Sequence, residues 1–537
     1  MLRRFLRKIS RKKTLADEEL LKTDLSRCLN TFDLTFVGLG SLLGTGMYVI
    51  LGLVVADYSG PATVISIFIA GFAAGLSAMC YAEMGSRLPR AGSSYLYTYV
   101  SMGEILAFVI GCCAMMSAVF GAASIMRGLL AEVDMLAKND FEGIDILLFS
   151  SKHDFDIFSP IVVFAVCCIL ALGVNFFSKA NKLCVSVNLV TIILFIVLAF
   201  WKADWKNWSE HGGFFPYGFS SVFQGASQIY YSFVGFQTIV AASEEAVNPQ
   251  RSVPLSLFYA ISFTTVVLII VCIALSLSIP LNMIVTSASL PAALSYNGIR
   301  WGALVIFCGT MFALISSFLN TMFAIPRILY AISKDGLIFK YLARVNKTTK
   351  TPLAATLTGG VIAAVVAFFF DVTQLASIMS MASLTAYIFV SLSLIVLRYI
   401  NYDPVKSIET SPLITSYYSG LNTQQFVCLA TFLTFDVLTG LLLTFFAENG
   451  IIFIILLLMF CLGMILPITY LYICCPQNDY SGYIRIPLVP FLPALSIFIN
   501  TCLILQFKAL DCIRFLILIA GSVVIYFLYG IHNSELN

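Results

Sequence analysis

Two short glycine-bearing stretches are where this chain could hold a ligand. The first, GLGSLLGTGMY (38–48), puts four glycines, a serine and a threonine inside an apolar run from about Phe32 to Val55. Glycine costs a helix about 0.8–1.0 kcal/mol relative to alanine, and in lipid every freed backbone group needs a partner. A break is tolerated where the backbone lines an enclosed cavity. There, half-helix N-termini offer free N–H groups and a positive dipole end to carboxylates, while unwound carbonyls receive cations. Gly44-Thr45-Gly46 fits such a break. Gly40-x-x-x-Gly44 also fits close packing through small residues, and the glycines alone leave both readings open. The second stretch, YYSFVGFQTIVAASEE (230–245), sets Gly235 among Ser232, Gln237 and Thr238. Interrupted helices in corresponding halves of an inverted repeat point to a binding site, so the two stretches together favour a ligand.

Ionisable residues in apolar runs are the other candidates. Glu83 precedes Arg87 by four residues, the spacing of a pair on one helix face. Glu104 opens an apolar segment, Glu244 and Glu245 close one, and Arg327 follows Pro326 inside another. Glu83, Glu244 and Glu245 read as helix-end charges at the cytosolic interface, and Glu104 reads equally as that or as functional. No Asp or Glu sits clearly at mid-membrane, which argues against a carboxylate relay.

Other chemistries are not visible. The 15 cysteines lie mostly in apolar runs, such as Cys167-Cys168 and Cys474-Cys475, and read as small hydrophobes. The three histidines lack ligand spacing, so no metal or other cofactor is expected. There is no nucleophile–base pair and no phosphate-binding loop, and an enzyme is not expected.

These stretches need helices to position them, and the composition supplies them. Of 537 residues, 60% are hydrophobic and 11% charged, and mean hydropathy is +0.94. Soluble domains carry about 25% charged residues. The chain therefore reads as an all-α polytopic membrane protein whose main partner is lipid. The net charge of +3 gives no reason to expect nucleic acid. Segments of about 20 apolar residues, the length needed to span, fall near 33–57, 61–81, 100–126, 160–178, 183–201, 221–243, 256–279, 301–331, 353–370, 374–398, 424–446, 451–474, 487–506 and 511–530. An even number, about fourteen, puts both ends on one side. With the N-terminus in the cytosol, 23 of the 31 Lys and Arg fall on the cytosolic side, which is the expected bias.

Asn207-Trp208-Ser209 is a glycosylation sequon on the outer side of that topology. A second sequon at Asn346 falls in a cytosolic loop and is expected to stay unmodified. The opening MLRRFLRKISRKK has seven basic residues in thirteen. It reads as a segment lying on the anionic inner leaflet in preference to a transit peptide, since Asp17, Glu18 and Glu19 follow. No secretory signal peptide is expected.

The ordered motifs identify a family. LSRCLNTFDLTFVGLGSLLGTGMYV (25–49), CYAEMGSRLPRAGSSYLYTYVSMGE (80–104), GFQTIVAASEEAVNPQRSVP (235–254), IPRILYAISKDGLIFKYLARVNKTTKTP (325–352), PLVPFLPALSIFIN (487–500) and RFLILIAGSVVIYFLYGIHNSE (514–535) resemble, over nearly the whole chain, the cationic amino acid transporters of the amino acid–polyamine–organocation superfamily. The resemblance implies a five-plus-five inverted-repeat core of the LeuT type over 32–400, with repeats at about 32–201 and 221–400. Around it lie a basic cytosolic segment 1–31, a cytosolic loop 401–423, four added helices over 424–530 and a short cytosolic end 531–537. It implies facilitated diffusion of arginine, lysine and ornithine, and the plasma membrane is the expected location. The Gly44, Thr45 and Gly46 amides would hold the substrate carboxylate. Carbonyls near Ser41 and Leu42, with Phe233, would hold its amino group. Tyr231 would gate the site, and Glu104 matches a glutamate important for transport.

The departures lie around the same site. Gln237 stands where the family has aspartate, Cys112-Cys113 replace a Trp-Asn pair, and Ala118 replaces a tyrosine. These changes are expected to reshape the side-chain pocket, with neutral amino acids or polyamines as the alternative cargo and a non-transporting sensor as a third reading. Asn188 stands where bacterial relatives carry a proton-coupling lysine, which fits uniport. A single positive charge gains about 1.4–2 kcal/mol on entering at −60 to −90 mV, roughly a tenfold to thirtyfold accumulation.

Overall fold

The computed structural model describes residues 11–13, 23, 25–140, 158–209, 212–286, 288–346, 349–399, 421–445, 451–478 and 484–535. Most of the expected basic N-terminal segment and of the loop 401–423 lies outside the described residues, as do the last two positions of the Asn346 sequon. Among the described residues there is no sheet, only one parallel bridge between Leu29 and Ala246.

Among the described residues, fourteen apolar helices, two of them broken, lie close to the expected spans. α1 is in two halves, Thr31–Leu42 and 46–59. α2 is Thr63–Arg87, α3 Glu104–Asp140, α4 Phe158–Ala171 and α5 Val174–Trp201. α6 is again in two halves, Ser221–Ile229 continuing to 233, then Gln237–Ala241. α7 is Pro249–Ser278, α8 Arg300–Lys334, α9 Leu353–Phe369 and α10 Val372–Tyr399. α11 is Thr423–Phe445, α12 Ile451–Cys474, α13 Phe491–Leu505 and α14 Ala509–Ile525. Nine stretches of the described residues are long and apolar enough to cross a membrane, the first of them holding both α1 and α2, and α4, α9 and α13 are shorter apolar helices. α6 is in neither group, because its break leaves two short pieces.

Two boundaries differ from the sequence reading. Gly173, at φ 109°, ends α4 early and starts α5. Lys179 and Lys182 therefore lie on α5 instead of in a loop, and Lys182 Nζ reaches Asp33 Oδ1 at 2.7 Å. Asp33 Oδ2 also accepts the Asn30 N–H at 3.0 Å, which fixes the start of α1. Likewise, the expected segment 100–126 is two helices. Ser94–Ser101 is separate, and Gly103, at φ 113°, turns the chain into α3.

Packing is reciprocal. α2 lies on α7, α3 on α8 and α4 on α9; α1 packs on α7 as α6 does on α2, and α5 on α8 as α10 does on α3. Exchanging each helix for the one five places away maps this set onto itself. α13 joins the ten by a polar seam. Ser496 Oγ lies 3.0 Å from Ser77 Oγ of α2 and accepts from Ser391 of α10 at 3.3 Å, while Asn500 Nδ2 donates to Ser77 Oγ at 3.0 Å. α12 and α14 lie largely on the outside with apolar faces exposed, as lipid-facing helices do.

Candidate functional site

The first half of α1 ends at Leu42, and Leu43 leaves helical geometry at φ −88°, ψ 48°. The second half restarts in a π turn at Gly46, with Thr45 before it. A restarting helix leaves its first N–H groups short of intrahelical acceptors; here the N–H groups of Met47 and Tyr48 turn back to the Gly44 carbonyl at 3.1 and 3.3 Å, with Thr45 and Gly46 at the start of the new helix. In α6 a 3₁₀ turn, Tyr230–Phe233, gives way to extended Val234 and to Gly235 at φ 127°, a conformation that excludes side chains with a Cβ. Helix resumes at Gln237.

The breaks face each other. A Cβ on Gly235 would lie 3.2 Å from Ser41 Cβ and 3.4 Å from the Ser41 carbonyl oxygen, and one on Gly46 would overlap Ser232. The glycines divide between packing and the helix break. Gly38 and Gly40 are packing glycines, pressed on Ile239 and Ala260 and on Ser316 and Asn320 respectively. Gly44 and Gly46 form the break. Ser232 Oγ is buried in this junction without a hydrogen-bond partner.

Around the breaks, side chains of other helices take up freed groups. Asn188 of α5 donates to the Leu43 carbonyl at 2.9 Å and accepts from Tyr48 at 2.6 Å. Ser317 of α8 donates to the Ser41 carbonyl at 3.4 Å. Tyr231, expected as a gate, has its hydroxyl 3.0 Å from Thr45 Oγ1 and 3.0 Å from Ser124 Oγ of α3, tying three helices together over the junction. Phe233 is fully buried with its ring tip toward Gly71 of α2, so it can offer the site only its carbonyl. Leu42 is buried at the end of the first half-helix.

Gly235 of the α6 break also lines a narrow cavity with Ser94, Ser117, Ala118, Gln237 and Thr321, among others. Gln237 Nε2 donates to Ser117 Oγ at 3.0 Å, and Ser117 pairs with Ser383 of α10 at 2.5 Å. The described lining holds no charged side chain. Cys112 and Cys113 are not part of it, which corrects the expectation that they reshape the pocket. Cys112 is half-buried and Cys113 fully buried. Of the departures, only Ala118 and Gln237 touch the cavity.

The charged residues do not behave as surface helix ends. Glu245 is fully buried and pairs with Arg327 at 2.8 Å; the guanidinium also donates to the Phe323 carbonyl at 2.9 Å and stacks 3.3 Å from its ring centroid. Glu244 accepts from the Ala91 N–H at 2.7 Å and from Thr23 at 2.7 Å, with Arg90 at 3.5 Å. The backbone of Cys28 and Leu29 donates to the Glu245 carbonyl at 2.9 and 3.0 Å, strapping the segment before α1 under α6. Glu83 meets Arg87, as spacing suggested, at 2.5 Å. Its bidentate partner is Arg398 of α10, at 2.8 and 2.9 Å, and it also accepts from the Ile486 N–H at 2.8 Å. Sequence reasoning missed both remote partners, because nothing local marks them. Glu104 accepts from Tyr99 at 3.0 Å, Tyr526 at 2.9 Å and Ser534 at 2.8 Å. It clasps α14 and the residues after it onto α3, far along that helix from Ser117. Asn207 sits on the short helix Lys206–Ser209 and donates to the Leu277 carbonyl at 2.7 Å. The fifteen cysteines are free thiols.

Comparison with known proteins gives a consistent picture. Residues 29–447 match the family described as amino acid permease, and residues 485–534 match the C-terminus of the same permeases. Cationic amino acid transporter 4 of Homo sapiens is 32% identical, covering 100% of this chain and 92% of its own length. The Mus musculus protein of the same name is 33% identical with the same coverage. Cationic amino acid transporter 4, vacuolar, of Arabidopsis thaliana is 29% identical over 98% of this chain and 96% of its own length.

Proposed function

The chain belongs to the amino acid permease family, and on that premise we propose that it carries arginine, lysine and ornithine by alternating access around the facing breaks of α1 and α6. The relatives' names point to cationic amino acids. The observation that carries the reading is the junction of Ser41 with Gly235 and of Gly46 with Ser232. It brings the end of one half-helix and the start of another together, and broken helices of this kind offer amides to carboxylates and carbonyls to cations, which supports the reading. In this reading the Gly44, Thr45 and Gly46 amides take the carboxylate, and the carbonyls of Ser41, Leu42 and Phe233 take the amino group. Tyr231 is the outer gate, and the Glu245–Arg327 pair with its strap closes the cytosolic side. Glu104 acts on transport by holding α14. The protein moves its cargo unchanged and is not an enzyme.

The reciprocal packing of α1–α5 with α6–α10 supports a core of two repeats, about 32–201 and 221–400, with 424–530 as added helices. The distribution of Lys and Arg supports cytosolic termini. The protein is a multi-pass membrane protein, and the plasma membrane is the proposed site. A glycan on Asn207 would leave one amide hydrogen for the Leu277 carbonyl. Cell fractionation tests the location, since one relative's name includes the word vacuolar. A glycosidase-sensitive gel shift lost in Asn207→Gln tests the side.

The deciding experiment is uptake of labelled arginine by cells expressing the chain, with and without sodium, at two membrane potentials. Sodium-independent uptake that grows as the interior becomes more negative is expected. Absence of uptake despite surface delivery would refute the substrate assignment. A second reading, transport of neutral amino acids or polyamines, is favoured by one observation: the cavity beside Gln237 has no carboxylate in its described lining. Competition by unlabelled leucine, glutamine and spermidine separates the two.

A further inference from the structure

A permease for cations needs an anionic partner for the cargo's far end, and the cavity at Gln237 supplies none. One face of α3 runs past the whole site. Ser117 meets Gln237, a Cβ on Gly121 would touch Met379 and Thr321, Ser124 meets Tyr231, and one on Gly128 would lie 3.5 Å from Thr45 and 3.8 Å from Val49. The next residue on that stripe is Glu132. At 1.5 Å rise per residue it stands about 6 Å further along the helix than Gly128, on the side of the Tyr231 bridge away from the cavity. Glu132 is 2% exposed and its Oε2 has no hydrogen-bond partner. The basic residue nearest to it in this part of α3, Arg127, donates instead to the carbonyls of Ala367 and Phe368 at 2.7 and 3.2 Å.

We propose that Glu132 forms an outer waiting site for a monovalent organic cation, where the ammonium or guanidinium of the incoming amino acid docks before the Tyr231 bridge opens. A buried carboxylate without a partner is unfavourable, and a cation docking there relieves it. The stripe then gives the order of events. The cargo's charged end is held at Glu132 one turn outside Thr45. Its α-carboxylate reaches the amides of 44–46 once Tyr231 releases Thr45 and Ser124. On this route discrimination between cationic and neutral amino acids is exerted largely before the cavity, which reconciles an uncharged cavity with a cationic cargo. The inference rests on the cationic reading proposed above.

The test is uptake by proteoliposomes holding wild type, Glu132→Gln or Glu132→Asp, with labelled arginine and with leucine as unlabelled competitor. Loss of one charged hydrogen-bond partner is expected to raise the KM for arginine in Glu132→Gln about tenfold or more. Maximal rate and the inhibition constant of leucine should stay near wild type, and Glu132→Asp should recover part of the affinity. Three results overturn the proposal. The KM could be unchanged while wild type takes up arginine, which leaves the cationic reading standing. Both constants could shift in parallel, marking a packing role. The KM could be unchanged while the pH dependence of uptake disappears, showing that the carboxylate carries a proton instead. Wild-type vesicles that take up no arginine overturn this proposal and the cationic reading together.

Discussion

Asn188 donates its side-chain amide to the Leu43 carbonyl at 2.9 Å, so a residue of α5 replaces the hydrogen bond that α1 gives up at its break. The same side chain accepts from Tyr48, holding both halves of α1 at once. Asn188→Ala leaves a buried carbonyl and a buried hydroxyl without partners, at about 1–3 kcal/mol each. A lower thermal midpoint of the purified protein is expected, with arginine uptake reduced. An unchanged midpoint would mean that water or another group takes the carbonyl.

Gly46→Leu should abolish uptake. Its Cβ would overlap the Cα and side chain of Ser232, so backbone must move and the facing breaks must separate. Overpacking of this kind costs about 1–3 kcal/mol, less than the stability of a typical domain, so the variant should reach the membrane. Surface biotinylation alongside uptake decides; wild-type transport per delivered molecule would refute the backbone site.

Tyr231→Phe removes the hydroxyl that bridges Thr45 and Ser124. Two neutral hydrogen bonds at about 1 kcal/mol each shift the closed-to-open ratio on the outer side roughly thirtyfold. The readout is labelling of a cysteine introduced by Gly128→Cys with a membrane-impermeant thiol reagent, which should be faster in the Phe background. Equal rates would remove Tyr231 from the gate.

Glu245→Gln should be among the most damaging single changes. It leaves Arg327 buried and uncompensated, a loss of about 3–5 kcal/mol. Glu245→Gln with Arg327→Met should fold better than Glu245→Gln alone, since no net charge remains buried. Detergent-solubilised yield measured by size exclusion compares them; equal yields would mean that the pair is not coupled.

Gln237→Glu introduces a carboxylate into the cavity and should raise the ratio of arginine to leucine transport about tenfold, the scale of one charged hydrogen bond. Cys112→Ser, outside the described cavity lining, should leave that ratio where it was. Uptake competition measures both, and a ratio set by Cys112 would contradict the placement of the cavity.

The helices were legible because spanning segments announce themselves by length and apolarity, and the breaks because glycine and hydroxyl residues interrupt them. Thus Gly44–Gly46 and Gly235 lie where the sequence suggested. The boundary at Gly173 was not legible, since two lysines looked like a loop and the pairing of Lys182 with Asp33 is tertiary. The same holds for Glu83 and Arg398, 315 residues apart, and for Glu104 with Tyr526 and Ser534. Buried ion pairs carry no local signature, so helix-end acids looked solvated. Glu132 was passed over for the opposite reason: its stretch of α3 turns polar, and only the packing of α1 reveals that it is enclosed.

The interruption of α6 has a bearing on how any topology of this chain is mapped. Split into short pieces, it escapes a count based on length and apolarity, and the count then comes out odd. Reporter fusions or protease-cleavage maps interpreted with thirteen crossings would assign every loop after α5 to the opposite face, sending the strap at Leu29 and the loop after α8 to different compartments. The hydrogen bonds from Cys28 and Leu29 to Glu245 require one compartment for both the start of α1 and the end of α6, so parity has to be taken from the fold.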